Sequence, residues 1–481
     1  MTAECWTAKG STQTIIWRPS PPNSRQSMPD AAPRPRGILN ALGLHRPELR
    51  AWAMYDWAIS SVQTTILVAV FPIYYMKVAA SDLSPAEGTQ ALGVANTIAA
   101  VVIAILAPIL GAIADYKAAK KRFLVGFMLL GVTATAMMFF IQHGQLLLAS
   151  VLFVVSLAGA TGSMTFYESL LPHIASNDEM DRISTAGYAL GYVGGGILLA
   201  ANLAWIANPG AFGLPSGDGL TRAQATLPSR LAFLSVAVWW LVFSIPILRR
   251  VPEPPRTLEA DETASGNPFI TAFTRLGETL RELRNYKQAA LAMLAFTVYN
   301  DGIGTIQKMA TAFGAEIGVG QSDLITAILL VQFIGIPFAF AFGALATRLG
   351  TKASIFLGLL IYTGICIYGY RITTTKEFYG LACMVGLVQG GTQALSRSLF
   401  ANMIPKHKSG EFFGFYSVFE KFGGILGPLV FAVAVNQSGS SRGAILWVIG
   451  FFVLGGALLA MVNVQEGERA AQAADAELHA A

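Results

Sequence analysis

Twelve runs of 19 to 27 largely apolar residues divide this chain, and they constrain its fold more than any other feature of it. They lie at about 52–76, 91–114, 123–141, 146–171, 185–207, 230–248, 288–312, 323–346, 353–371, 377–403, 412–434 and 441–463. A helix crossing the hydrocarbon core of a bilayer needs about 20 such residues, so each run is long enough to span. A membrane β-barrel strand would alternate apolar and polar residues over about ten positions, whereas these runs are continuous. The expected fold class is an all-α membrane protein with twelve transmembrane helices. Composition agrees, because only 13% of the 481 residues are charged, about half the share in a soluble domain. Many of the 48 Gly and 22 Pro fall inside the runs, where small residues let membrane helices approach closely.

An even number of spans places both termini on one side. Lys and Arg are in excess in cytoplasmic loops. With the N-terminus inside, the inner segments carry 21 of them and the outer loops six. Both termini are therefore expected in the cytoplasm, and a bacterial inner membrane is the expected location. The formal net charge of +5 then reflects orientation, and no nucleic-acid partner is expected. Cys366 and Cys383 lie in apolar runs, and with Cys5 they suggest neither a disulfide nor a metal site. Phosphate-cradling loops are absent from the sequence, so no cofactor is expected.

The divisions follow. Residues 1–49, rich in Pro, Ser and Arg, are expected to be a disordered cytoplasmic leader. Met28 offers a second start, so the first 27 residues are expected to be dispensable. Two six-helix bundles, 50–249 and 288–464, flank a cytoplasmic linker at 250–287, and 465–481 is a cytoplasmic tail. Within the linker Phe269, Ile270, Phe273, Leu276, Leu280 and Leu283 recur at helical spacing among Arg275, Arg281 and Arg284. That pattern predicts an amphipathic helix on the inner leaflet.

The two bundles match in sequence. Tyr188-Ala189-Leu190 with Gly195-Gly196-Ile197-Leu198 corresponds to Tyr416-Ser417-Val418 with Gly423-Gly424-Ile425-Leu426 at an offset of 228. Gly111-Ala112-Ile113-Ala114 corresponds to Gly343-Ala344-Leu345-Ala346 at an offset of 232. Two parallel repeats related by an axis along the membrane normal are what a transporter that rocks about a central site is built from.

These residues also carry a resemblance. Gly111-Ala112-Ile113-Ala114-Asp115-Tyr116-Lys117, followed by Lys120-Lys121-Arg122, resembles the loop between spans two and three of the major facilitator superfamily. The second copy has Thr347 in place of the acid, which predicts a weaker latch there. Trp52-Ala53-Met54-Tyr55-Asp56-Trp57-Ala58, Gly187 to Gly195, Gly390 to Ser398 and Gly410 to Tyr416 look like the vacuolar amino-acid effluxer-like branch, a likeness covering roughly 50–465. Ile59 and Glu168 depart from that branch's pattern. The resemblance implies export of a small solute, with neutral amino acids the attested class.

Polar residues inside the spans are the candidates for mechanism. Asp56 lies only four residues into its run, ~6 Å from the inner end, which suits an inner gate or a helix cap. Asp301 lies ~20 Å deep in Tyr299-Asn300-Asp301-Gly302-Ile303-Gly304, where two glycines predict a bend or unwinding. It is either a proton-coupling carboxylate or a hydrogen-bonding group between helices. Glu168 and Arg397 occupy matched places in spans four and ten. They either close the inner mouth as a salt bridge or pair locally, Arg397 with Glu420. Glu420 and Lys421 point about 100° apart, so at most one of them faces the pore. Asp115 and Arg122 belong to the latch loop. Gln63, Thr64, Tyr192, Asn300, Gln332, Gln389 and Gln393 are candidates to line a central cavity or to tie helices together. The expected activity is secondary transport, with a small-molecule substrate, protons as coupling ion and lipid as surroundings. A pore or a non-transporting receptor on the same fold is the rival. The duplicated halves oppose a pore, and the lack of a soluble ligand domain opposes a receptor. An enzyme is not expected, since no nucleophile with a base stands out.

Overall fold

The computed structural model describes residues 38–256, 286–438 and 441–480. The leader up to residue 37 and the predicted linker helix lie outside the described residues, as does the side chain of Lys421. Met1–Ala41 is a separate unit, described only as the helical turn Ile38–Ala41.

From Leu42 onward every regular element among the described residues is helical. The order is α1 (Pro47–Ala79), α2 (Pro85–Lys117), α3 (Lys120–Met137), α4 (Leu146–Ile174), α5 (Met180–Ala207) and α6 (Arg222–Arg250). Then come α7 (Lys287–Glu316), α8 (Gln321–Leu349), α9 (Thr351–Arg371), α10 (Thr375–Asn402), α11 (Ser409–Ser438) and α12 (Arg442–Met461). A further helix, α13, spans Val464–Ala480. Each of the twelve apolar runs falls on one of α1–α12, and ten of these helices are long and apolar enough to cross a membrane. Large apolar side chains such as Leu147, Leu360 and Val453 stand exposed on the helices, as lipid contact requires and water would penalise.

Packing repeats with a step of six. In the first half α1 lies against α5 and α6, and α3 against α4; in the second α7 lies against α11 and α12, and α9 against α10. Across the halves α2 meets α11 and α5 meets α8, again a matched pair. The duplication seen in sequence is thus a duplication of helix neighbours.

Two expectations change, and the tail gains a helix. The backbone irregularity expected at Asp301 is absent, since α7 is α-helical throughout. Gly302 instead admits Phe451 and Phe452 of α12, as a methyl on it would sit 2.9 Å from the Phe452 ring. The irregularity lies in α1, whose Val62–Ala69 and Tyr75–Ala79 segments are π-helical. Ordered packing also begins before residue 50. Leu44 and Leu49 are buried, and Arg46 donates to the Ile174 carbonyl at 2.8 Å and pairs with Glu179 at 2.7 Å. Finally, the tail is helical: α13 packs on α7 and α10, and Asp475 accepts from the Lys406 amide at 3.0 Å.

Candidate functional site between the two halves

Near the end assigned to the cytoplasm, Arg397 of α10 reaches out of its own half. It is 1% exposed. Its Nη1 lies 3.4 Å from Asp56 Oδ2 on α1 and 3.7 Å from Glu168 Oε1 on α4. Its Nε donates to Ser184 Oγ and its Nη2 to the Ser184 carbonyl, both at 2.9 Å, on α5. Its guanidinium lies over the rings of Tyr188 (4.6 Å), Trp52 (5.0 Å) and Tyr167 (5.7 Å). A planar, delocalised cation suits such a site, because it stacks on rings while its fork of donors meets oxygens. The matched pair Glu168 and Arg397 is therefore brought together. Asp56, the shallow acid of α1, completes the site, held by a 2.8 Å hydrogen bond from the Tyr167 hydroxyl. Glu420 is partly buried within electrostatic reach of Tyr188 and Tyr416.

Below this layer the latch loop clasps the other half. Asp115 pairs with Lys120 at 2.7 Å, both buried, and Asp115 Oδ2 accepts from the Glu411 amide at the start of α11, at 3.0 Å. An acid at a helix N-terminus meets free N–H groups and the positive end of the helix dipole. Lys120 also donates to Ser409 Oγ at 2.5 Å and approaches His173 Nε2 at 2.8 Å. The basic residue used is Lys120. Arg122, expected to share the gating role, is exposed on the outer face of α3. The close approach needs Gly111, because a methyl there would lie 2.3 Å from the Gly410 carbonyl oxygen.

At the matched meeting of α5 and α8, Thr347 donates within its own helix. The acid nearby is Asp181 of α5, which accepts from Thr351 of α9 at 2.6 Å and from Ser398 of α10. Gly343, the counterpart of Gly111, is again the point of approach, with a methyl falling 2.2 Å from Thr185 Oγ1. Asp181, Ser184 and Tyr167 are functional candidates that the sequence reading missed. Asp181 had a local sign, as an acid in the first turn of a helix; the other two show themselves only once α10 is placed.

The uncharged candidates divide. Tyr192 of α5 crosses to the second half, where Gly335 and Gly390 make room for its ring, and its hydroxyl faces Gln389. Gln393 donates to Asn300 at 3.3 Å, joining α10 to α7. Tyr192, Asn300, Gln332, Gln389 and Gln393 keep part of their surface open, and Gln63 is exposed. Thr64 is a helix tie: it is buried and donates within α1 and to the Gly195 carbonyl. Asp301 is 1% exposed, and its Oδ2 accepts from the Gly427 amide of α11 at 2.8 Å. That carboxylate bonds two helices of the same half.

Over residues 45–472 the chain matches the family described as "Vacuole effluxer Atg22 like". YxiO of Bacillus subtilis, an uncharacterized MFS-type transporter, is 37% identical over 413 residues, which are 86% of this chain and 94% of that protein. Autophagy-related protein 22 of Yarrowia lipolytica is 29% identical over 322 residues, 60% of this chain and 52% of that protein. The chain thus spans about half the length of that fungal relative. Among solved structures, FucP, a major facilitator transporter crystallised in the outward conformation, has a TM-score of 0.64 at 13% identity and covers 88% of this chain and 99% of that one. A bacterial homologue of the iron transporter ferroportin, in an outward-facing state, has a TM-score of 0.59 at 15% identity, with coverage of 86% and 98%. At these identities the likeness shows the fold.

Proposed function

This chain belongs to the vacuole effluxer Atg22-like family of major facilitator transporters, and from that premise we propose that it exports a neutral amino acid in exchange for protons. In this reading it sits in a bacterial inner membrane with both termini in the cytoplasm. The observation that carries the reading is Arg397, a residue of the second half that is bonded into the first half by two carboxylates and Ser184. Bonds that join the halves at their inner ends describe a gate closed toward the cytoplasm. Opening it means withdrawing a buried guanidinium from Asp56 and Glu168. A proton on either acid weakens that attraction, so protons arriving from outside favour the swing to the inward-facing form. Release of the proton inside restores the charge that draws Arg397 back and favours the return. Partly open Gln63, Tyr192, Asn300, Gln332, Gln389 and Gln393 are assigned to the solute path between the halves.

Two places compete for the coupling proton in this scheme, the gate pair of Asp56 and Glu168, and Asp301. Asp301 bonds two helices of the same half, whereas Asp56 and Glu168 join the halves through Arg397, so the gate pair is the preferred place. The test is flux of labelled neutral amino acids in proteoliposomes under an imposed pH gradient. Wild-type flux should follow the gradient. Asp56→Asn should lose that dependence, and Asp301→Asn should keep it. Flux indifferent to the gradient in the wild type removes proton coupling. Loss of coupling in Asp301→Asn alone moves it to α7.

A further inference from the structure

The side-chain partners described for the Arg397 guanidinium all belong to the first half. They form the walls of a compartment: Trp52 and Asp56 of α1, Tyr167 and Glu168 of α4, and Ser184 and Tyr188 of α5. These walls are tied to one another without help from Arg397. Trp52 Nε1 donates to the Tyr167 carbonyl at 2.9 Å, and the two rings stack with centroids 4.3 Å apart. The Tyr167 hydroxyl donates to Asp56 at 2.8 Å. Gly187 leaves the space open, as a methyl there would meet Asp56 Oδ2 at 2.7 Å and Arg397 Nη2 at 3.2 Å. Two carboxylates beside three ring faces form a receptor for an organic cation. Ring faces attract cations through their quadrupole, and a site meant for a proton alone has no use for them.

We infer that this compartment is the cation subsite of the transport path, where Arg397 and the ammonium group of the substrate take turns. The inference rests on the amino-acid reading above. When the inner gate opens, Arg397 leaves with α10 and strands Asp56 and Glu168 in a buried place. Removing one partner of a buried ion pair is strongly unfavourable, so once the coupling proton has left, another cation takes its place. An α-ammonium group supplies that charge with three donors for the carboxylates. Arg397 then acts as an internal competitor that ejects the ammonium group when the gate closes. The carrier holding neither proton nor ammonium group is held closed, and exchange becomes tied to occupancy of the site.

The test uses the purified full-length protein carrying Arg397→Ala, which empties the compartment and leaves its walls intact. Methylammonium and guanidinium chlorides at millimolar concentration are the probes, sodium chloride at equal ionic strength is the control, and the readouts are tryptophan fluorescence and calorimetry. Both probes should bind at least tenfold more tightly to Arg397→Ala than to the wild type, and adding Asp56→Asn should abolish the gain. Equal binding to both proteins, binding no better than sodium, or a gain that survives Asp56→Asn overturns the inference. Should Arg397→Ala fail to fold, the wild type with Ser417→Cys serves instead. Methylammonium should speed labelling of that cysteine by a polar thiol reagent, and Glu168→Gln should remove the effect; unchanged labelling overturns the inference. Probe binding without amino-acid flux sinks the substrate reading and leaves the cation site, whereas flux without probe binding does the opposite.

Discussion

Lys120 and Arg122 stand two residues apart in one basic cluster, and of the two Lys120 is the buried one. Lys120 is 3% exposed and neutralises Asp115, while Arg122 is exposed. Lys120→Met leaves a buried carboxylate without its cation and should cost on the order of 3–5 kcal/mol. Arg122→Ala should stay within about 0.5 kcal/mol of wild type. Thermal unfolding in detergent measures both, and equal effects would remove the clasp from the account. From sequence the two residues were indistinguishable, because a basic cluster gives no sign of which side chain turns toward a neighbour. Glu168 and Arg397 were legible as a pair because the repeat gave them matched positions. Asp56 was legible as shallow from its place in the run. Its bond to Arg397 was not, because no offset between repeats relates the two.

At the scale of helices, the contacts between halves are set by where backbones can meet. Gly111 and Gly343 mark the two closest approaches, α2 against α11 and α5 against α8. Gly111→Val should push the inner ends apart and raise thiol labelling of a cysteine at Ser417 at least severalfold. Gly126→Ala, with no atom within 4 Å of the new methyl, should leave labelling unchanged. If Gly111→Val labels like the wild type, the approach is not what closes the inner face. The segment leaving α6 serves α3 in a similar structural way. Glu253 accepts from the Lys121 amide at 3.1 Å in the first turn of α3, whose own N-cap position, Ala119, offers no side-chain cap. Arg256 donates to the Tyr116 carbonyl at 2.8 Å and covers its ring. Glu253→Ala should cost about 1 kcal/mol, as loss of an N-cap does, visible as a lower midpoint of thermal unfolding. Helix positions were legible throughout because long apolar runs leave little choice. The π-helical turns of α1 were not, since Gln63-Thr64-Thr65 reads equally well as a polar stripe in an ordinary helix. The predicted break at Gly302 and Gly304 failed for a related reason. A glycine inside a packed bundle marks either a bend or a close neighbour, and at Gly302 it marks Phe452.

For the whole molecule, the account holds that two matched six-helix halves exchange one closed end for the other. The duplication was visible in sequence as constant offsets and appears in the structure as repeated helix neighbours. What the offsets concealed is that the two clasps are not copies. One uses Asp115 against the start of α11, the other Asp181 against Thr351 and Ser398. Equivalent surfaces met in both, and different side chains came to fill the contact. The central claim is that the inner ends must separate in every cycle. Thr165 of α4 and Ser417 of α11 touch across the halves, Oγ1 to Oγ at 2.7 Å, close enough for a disulfide between cysteines placed there. In proteoliposomes loaded with the amino acid that the wild type carries best, oxidised Thr165→Cys/Ser417→Cys should lose flux, and a reductant should restore it. Undiminished flux through fully cross-linked protein would contradict the account.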